Sequence, residues 1–545
     1  MKKHLTILAF AMLLSTASAF AQGGTTGSLT WELNDGTLTI SGKGEMPDYF
    51  NPNPPPWYNY ESSITTVVIE TGVTSIGDYA FFGCSVFTSI TLPNSVTTIG
   101  NGAFGSCGLT SITIPNGVTT IGEWAFSRCY DLVSITLSDG VTMIGDWAFS
   151  DCSALTSITF PNSVTTIGNH VFSCCTALTF ISIPNSVTTI GTHAFSDCYS
   201  LTAITLPNSI TTIGYCFFSD CRSLTSITIP NSVITIEDWA FYYCTALTSI
   251  TLPNSVTTIG YCAFSNCTAL SSITLPHNIT TIGSSAFERC TALESIILPN
   301  SITTIGYDAF SYCTALTSIT LPNSVTMIEY CAFSNCTALS SITLPNNITT
   351  IGSSAFERCT ALESIILPNS VTTIGYGAFY SCTALTSITN FNPVPVEIQS
   401  SVFDDVDKNA CTLKVPTSAV SAYQSAEVWK EFNIEGIEVG IAEPDNNPSL
   451  RIYPNPTTGL LTICDNRISD IGQSEIVIYD VMGRVVHVET HGRASLQSPI
   501  THRTSHIANR PSQIAIDLSH LPSGVYGVSV ISDGRVVGKG KVVKR

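Results

Sequence analysis

The chain has 545 residues and a formal net charge of −18, unevenly divided: residues 450–545 carry 11 Lys and Arg against 7 Asp and Glu, and the rest carries 10 against 32. An acidic body of charge −22 with a tail of charge +4 disfavours nucleic acid and anionic membrane as partners of the body. Solubility is the simpler reading of that charge.

Residues 1–21, "MKKHLTILAFAMLLSTASAFA", join two lysines to an apolar run too short to span a bilayer and end in Ala19-Phe20-Ala21. This pattern predicts a secretory signal cleaved between Ala21 and Gln22. No later run of about 18 apolar residues follows, so no transmembrane segment is expected in the mature chain. In residues 22–60, Leu29, Trp31 and Leu33 alternate, Asp35-Gly36 offers a turn, and Leu38 and Ile40 return. A β-hairpin cap over an open sheet edge is the expectation.

From 61 to 390 one sentence repeats. Positions 70, 93, 115, 138, 161, 184, 207, 230, 253, 276, 299, 322, 345 and 368 are equivalent, fourteen copies at a step of 23 with one step of 22 at "SCGLTS". In the 253 copy the apolar slots are Leu247, Ile250, Leu252, Val256, Ile259, Ala263, Phe264 and Cys267. The Phe slot runs unbroken from Phe81 to Phe379 and the Cys slot from Cys84 to Cys382. A unit this short cannot bury eight residues alone, so each coil must be covered by its neighbours, which defines a solenoid. L-x-x-I-x-L predicts a short strand and "SVTTIG" a second extended piece. The Gly of "TTIG" predicts a tight corner, and Ala-Phe-Ser-x-Cys a helical turn. Residues 247–315 recur almost verbatim as 316–384, three coils at a time.

"LTSITLPNSVTTIGxxAFSxC" resembles the BspA-type leucine-rich repeat of bacterial surface proteins over about residues 61–390, and the flanks resemble that family's caps. The resemblance implies a non-enzymatic role in surface binding or adhesion. In the C-terminal cap, residues 391–441, Thr412 to Val415 reads as a strand and Ser418 to Phe432 as a helix, with Trp429 and Phe432 closing the last coil.

Residues 442–449 form a Pro/Asn linker, after which the composition changes. Residues 450–545 carry short alternating strands between Gly and Asp turns, which argues a small antiparallel sandwich. "YPNP", "IYDVMGRVV", "LPSGVY" and "KVVKR" resemble the type A sorting domain of the type IX secretion system. That likeness implies a gram-negative bacterium, passage through the periplasm, handling by the type IX machinery, removal of the tail and display of the body on the outer surface. The stretch from His487 to Pro511 is longer than the pattern usually allows, which leaves strand pairing open there.

Twenty cysteines in an exported chain raise the prospect of disulfides. Neighbouring coils bring the ladder thiols within bridging distance. The slot lies between core Phe and Leu, however, so buried free thiols acting as apolar filler are expected. Cys216, Cys262 and Cys331 sit two and three coils apart, too far to bridge. No metal site is expected: no histidine lines up with the ladder, and His487/His491 and His502/His506, though spaced i, i+4, are read as loop. "DDVDKNA" at Asp404 to Ala410 lacks the Gly and Glu of a calcium loop. No catalytic or cofactor motif occurs, and His170, His193 and His277 stand alone in separate coils. No catalytic residue and no cofactor is assigned.

What remains is surface. Ser and Thr fill the outward strand slots, as in Ser249/Thr251, Ser272/Thr274 and Ser318/Thr320. A second stripe fills the two slots before Ala-Phe: Tyr79, Trp124, Trp147, Tyr215, Trp239, Tyr261, Tyr307, Tyr330 and Tyr376. Such rings either stack on neighbouring coils or serve as exposed anchors, the role in which Tyr and Trp dominate binding hot spots. The chain reads as a secreted surface binding protein for an extracellular protein or glycan. The rival reading is a passive spacer or coat without a specific ligand.

Overall fold

The computed structural model describes residues 22–437 and, in the tail, seven strands between Leu450 and Lys544. The expected signal residues 1–21, the linker and residues 492–511 lie outside the described residues. Two compact units divide between Ile437 and Glu438.

The first unit is a parallel-strand solenoid. Each coil places a Ser-Ile-Thr strand beside that of its neighbour at a 23-residue offset, as in Ser249↔Ser272 and Ile250↔Ile273. A second column of two-residue strands builds a six-stranded sheet from Ser75 to Ile190 and an eight-stranded one from Thr212 to Ile374. Between them lies one continuous core. The eight inward residues of the 253 coil are all buried, none more than 3% exposed. Its centre is a column of rings that starts at Trp57, passes through all fourteen repeat phenylalanines and ends at Phe403. Successive centroids are 5.2 to 5.8 Å apart with planes within 24°. Each large ring buried this way contributes roughly 1.5–3 kcal/mol.

The Ala-Phe-Ser-x-Cys segment is not helical, contrary to its sequence pattern. Alternate amides in it turn outward to the next coil: Trp239 N–H donates to Tyr261 O at 2.8 Å, Phe241 to Ala263 O at 2.8 Å and Tyr243 to Ser265 O at 3.0 Å. The intervening amides of Ala240, Tyr242 and Cys244 bond three residues back. A helix would keep every amide inside the segment and leave the coils unlinked along this edge. The alternation requires two left-handed residues per coil, and the slot before Ala has φ between 51° and 61° in all fourteen copies. For bulky residues this conformation costs of order 1–3 kcal/mol, offset by the inter-coil bonds it makes possible. The Gly of "TTIG" answers a different need from the corner expected of it. A Cβ at Gly260 would lie 2.5 Å from Asp238 Oδ1 and 2.6 Å from the Asp238 amide. Glu237 and Glu329 occupy that slot in two coils, so glycine is preferred there and not required.

The cysteine ladder is unbridged: all its thiols are free. Thirteen of them, Cys107 to Cys382, donate to the carbonyl of the Phe one coil back, as Cys267 Sγ does to Phe241 O at 3.1 Å. Burial pushes the thiol of Cys129 up to about 12, and Cys175, Cys221 and Cys290 well above their ordinary value.

Both ends are closed. Strands β1 (Gln22–Thr26), β2 (Leu29–Asn34) and β3 (Thr37–Gly42) form an antiparallel meander, and β3 pairs in parallel with β4 (Thr66–Ile69). The hairpin over Asp35-Gly36 is present, and β1 extends it by one strand beyond the expectation. Trp57 seals the core and donates its indole N–H to Ala80 O at 2.8 Å. At the far end strands Thr412–Pro416 and Asn433–Ile437 continue the ladder. The helix expected over Ser418 to Phe432 is a single short one, α1 (Val420–Ser425), flanked by 3₁₀ turns. It stops where Ala426 turns extended (φ −80°, ψ 136°), and the positive φ of 67° at Val428 turns Trp429 and Phe432 onto Phe403, at 5.5 and 5.1 Å. In the "DDVDKNA" loop, Asp407 Oδ1 accepts the amides of Asn409 and Ala410, and Ser381 donates to Asp405 at 2.7 Å.

In the second unit, strands Leu450–Tyr453, Leu460–Asp465 and Ser512–Asp517 make one antiparallel sheet. Val485–His491, Ser474–Tyr479, Gly524–Ser532 and Arg535–Lys544 make another. His487 and His491 therefore lie on a paired strand, not in a loop, opposite Ile478 and Ser474. Four residues along a strand span about 13 Å, so the i, i+4 spacing does not bring these positions together.

Candidate functional site

The stripe runs along the left-handed corner. Tyr79, Trp124, Trp147 and Trp239 occupy the left-handed slot before Ala or Val, and Tyr215, Tyr261, Tyr307, Tyr330 and Tyr376 the slot ahead of it. Behind three of those tyrosines stand Cys216, Cys262 and Cys331. Trp124, Tyr215, Tyr261, Tyr307, Tyr330 and Tyr376 are exposed; Tyr79, Trp147 and Trp239 are half-buried.

The rings group into three stretches. The middle one is a continuous stack from Trp147 to Tyr261, and it includes two residues that the sequence left isolated. His170 lies 3.7 Å from Trp147 and parallel to it, and His193 lies 4.1 Å from His170. His193, Tyr215, Trp239 and Tyr261 follow at 5.1, 5.1 and 4.9 Å. The two imidazoles share the stripe's own slot, so alignment by slot was the signal that would have found them. At the C-terminal stretch Tyr307 and Tyr330 are 6.5 Å apart and Tyr376 is 63% exposed. At the N-terminal stretch Tyr79, Phe82, Trp124 and Trp147, with Ser106, Ser127, Arg128 and Asp151, line an open cleft of about 360 Å³.

The arrangement offers flat apolar faces edged by hydroxyls and a few charges. Asp and Asn link the corners beneath: Asp146 accepts the Asn169 amide at 2.7 Å, and Asn169 accepts that of Thr192 at 2.9 Å. Ser249 and Thr251, by contrast, stand exposed on the strand column, and one slot earlier Thr248 donates to Thr225 O at 3.3 Å.

The histidine pair has a pH consequence. Burial, followed by the neighbouring imidazole, lowers His170 from 6.5 to about 4, against an opposing pull from Asp146. Burial lowers His193 too, against Asp197, and no acceptor meets its buried Nδ1. A base whose folded pKa is depressed stabilises the fold fully above its unfolded value and loses that contribution as pH falls through the window. Local protection in the coils of Trp147 to Tyr215 should therefore weaken between about pH 6.5 and 4, and His170→Phe should flatten the change. Hydrogen exchange at the His170 and His193 amides measures it; equal protection at pH 7 and pH 4.5 would refute it.

The profile of the BspA type leucine-rich repeat region, six copies, matches residues 57–179, 165–294 and 280–410, and that of the secretion system C-terminal sorting domain matches residues 451–545. No curated protein matches the chain. Among solved structures, a leucine-rich repeat protein from Bacteroides ovatus ATCC 8483 is 30% identical, with a TM-score of 0.56, covering 76% of this chain and 100% of its own. One from Eubacterium ventriosum ATCC 27560 is 31% identical, with a TM-score of 0.44 and coverage of 67% and 96%. A leucine-rich cell surface protein from Faecalibacterium prausnitzii A2-165 is 31% identical, with a TM-score of 0.34 and coverage of 59% and 94%. The chain belongs to the BspA-type leucine-rich repeat family, and its tail is a type IX sorting domain, which directs it to the cell surface or outside.

Proposed function

We propose that the body is a non-enzymatic binding protein of the outer cell surface, an adhesin or interaction scaffold, that meets its ligand with the aromatic corner face. The observation that carries this is the alignment of exposed Trp124, Tyr215, Tyr261, Tyr307, Tyr330 and Tyr376 along two adjacent slots of one corner of the solenoid. Exposed rings spread over several coils favour several weak contacts that add by avidity. Binding of the full chain to arrays of extracellular-matrix proteins and glycans tests it, and silence on both would favour a passive spacer.

The stacked middle stretch supports a scaffold role for its own rings, so the stripe divides by position. Trp124 is exposed and stacks on no ring among the described residues, and Trp124→Ser should leave the melting temperature unchanged. Trp239 sits between two tyrosines, and Trp239→Ser should remove about 1 kcal/mol or more. Thermal unfolding of the two single variants compares them directly.

For the tail, the proposal is removal at the surface near residue 445, with the sorting domain of residues 450–545 read by the type IX machinery before that. Deleting it should hold the body in the periplasm. Mass spectrometry detecting Arg545 on surface-displayed protein would contradict removal.

A further inference from the structure

We infer that the cleft at Trp124 is a saccharide subsite, built to take one ring of a neutral glycan. This rests on the binding-protein reading above and sharpens it to one place and one ligand class. The cleft exists because a single coil departs from the repeat. Gly102 and Gly105 stand where the two flanking coils carry Tyr79 and Phe82 on one side and Trp124 and Ser127 on the other, in the coil that also drops a residue at Gly108. A Cβ on Gly102 would lie 2.6 Å from the Tyr79 ring, and one on Gly105 2.8 Å from the Phe82 ring. The missing side chains therefore let these two rings, 5.8 Å apart and edge to face, lie across the neighbouring coil. Trp124 and Trp147 follow in the next two coils, and the gap between the two pairs is the cleft.

Its chemistry selects the occupant. Its volume of about 360 Å³ falls at the small end of small-molecule sites, roughly 300–1,000 Å³. Specific protein partners need about 800 Å² of surface on each side, more than a local cleft supplies. A pyranose presents weakly positive C–H groups on one face, which suit the negative face of an indole, and a rim of hydroxyls. Arg128 has no ion pair among the described residues, and Asp151 accepts from Ser150 Oγ through Oδ2 at 3.1 Å. Arg128 and Asp151, which both line the cleft, bring a guanidinium donor and a carboxylate acceptor for sugar hydroxyls. Because both signs are present and the body is strongly acidic, a neutral sugar fits better than an anionic one.

The test titrates the full chain with neutral gluco-, galacto-, manno- and fuco-configured oligosaccharides and one sialylated oligosaccharide, by calorimetry. Saturable binding of a neutral sugar is expected, weakened at least tenfold by Trp124→Ala and by the isosteric Asp151→Asn, with unfolding unchanged and Ile297→Ser, exposed on the strand column away from the stripe, without effect. Binding that survives both cleft variants, or preference for the sialylated probe, would overturn the inference. Protein-array binding that is lost on Tyr307→Ala or Tyr376→Ala, with no sugar bound, would overturn it while leaving the proposed function standing. Absence of any ligand on either array would sink both.

Discussion

Excision of Leu316–Ala384 leaves a folded, shorter solenoid. The cut removes three whole coils and joins Ala315 to Leu385, the same dipeptide junction that Ala384 makes. Every inward slot keeps its neighbour type: Phe310 replaces Phe379 beneath Phe403, and Cys313 replaces Cys382. The seam loses one specific bond, because Tyr312 arrives where Ser381 donated to Asp405 at 2.7 Å, a loss of about 1 kcal/mol. Since coils interact with nearest neighbours only, a change of about 5 °C or less in melting temperature is expected. Removing the 11 residues from Leu316 to Thr326 has the opposite outcome. Phe333 then arrives 11 residues early, strand residues fall under corner residues, and the ring column is cut between Phe310 and Phe333. The cooperative transition should be lost and apolar dye should bind at room temperature. Equal melting of the two deletions would contradict the solenoid's nearest-neighbour stability.

How much of this was legible in the sequence follows from what a repeat writes down. Burial is written fourteen times, so Leu247, Ile250, Val256 and Phe264 could be placed inward from periodicity alone, and their burial follows. The corner was not legible. Trp, Tyr, Cys and Ser carry no preference for a left-handed backbone, and only Gly102, Gly377, Asp308, His170 and His193 hint at it in that slot. What fixes the conformation is the amide pointing to the next coil, a contact 21 to 23 residues away. The broken C-terminal helix has a similar cause: Ser418 to Phe432 is helix-compatible locally, and the core's demand for Trp429 over Phe403 overrides it. For the stripe, position was legible and partnership was not. His170 and His193 looked isolated because each is alone in its coil, yet the solenoid puts their rings 4.1 Å apart. The cleft lay in plain view as a dropped residue and two extra glycines, but its walls belong to the flanking coils.

Alkaline unfolding should be cooperative and set by the cysteine ladder. In the unfolded chain a thiol ionises near 9.0, whereas burial holds Cys129 and Cys336 near 12 and Cys175, Cys221 and Cys290 well above the ordinary range. A raised folded pKa on an acid means stability that is complete below about pH 9 and is lost as pH rises through the folded value. Above pH 9 each ladder thiol favours the unfolded state by about 1.4 kcal/mol per pH unit. A coil of 23 residues holds roughly 1–3 kcal/mol at typical stability per residue, and it carries one such thiol. The balance should therefore invert between about pH 10 and 11 in every coil together. Thiolate absorbance and circular dichroism, followed in one titration, should change at the same pH, with no thiolate signal from the ladder beforehand. Half-buried Cys174, Cys216 and Cys331 should react earlier with a thiol reagent at pH 8, since their environments are partly open. Replacing Cys244, Cys267 and Cys290 by Ala removes three thiols from adjacent coils, so those coils should hold their amide protection at a pH where the flanking ones have lost it, although the cavities weaken them at pH 7. Ladder thiolates appearing near pH 9 with the dichroism unchanged would show that ionisation does not require the coils to open.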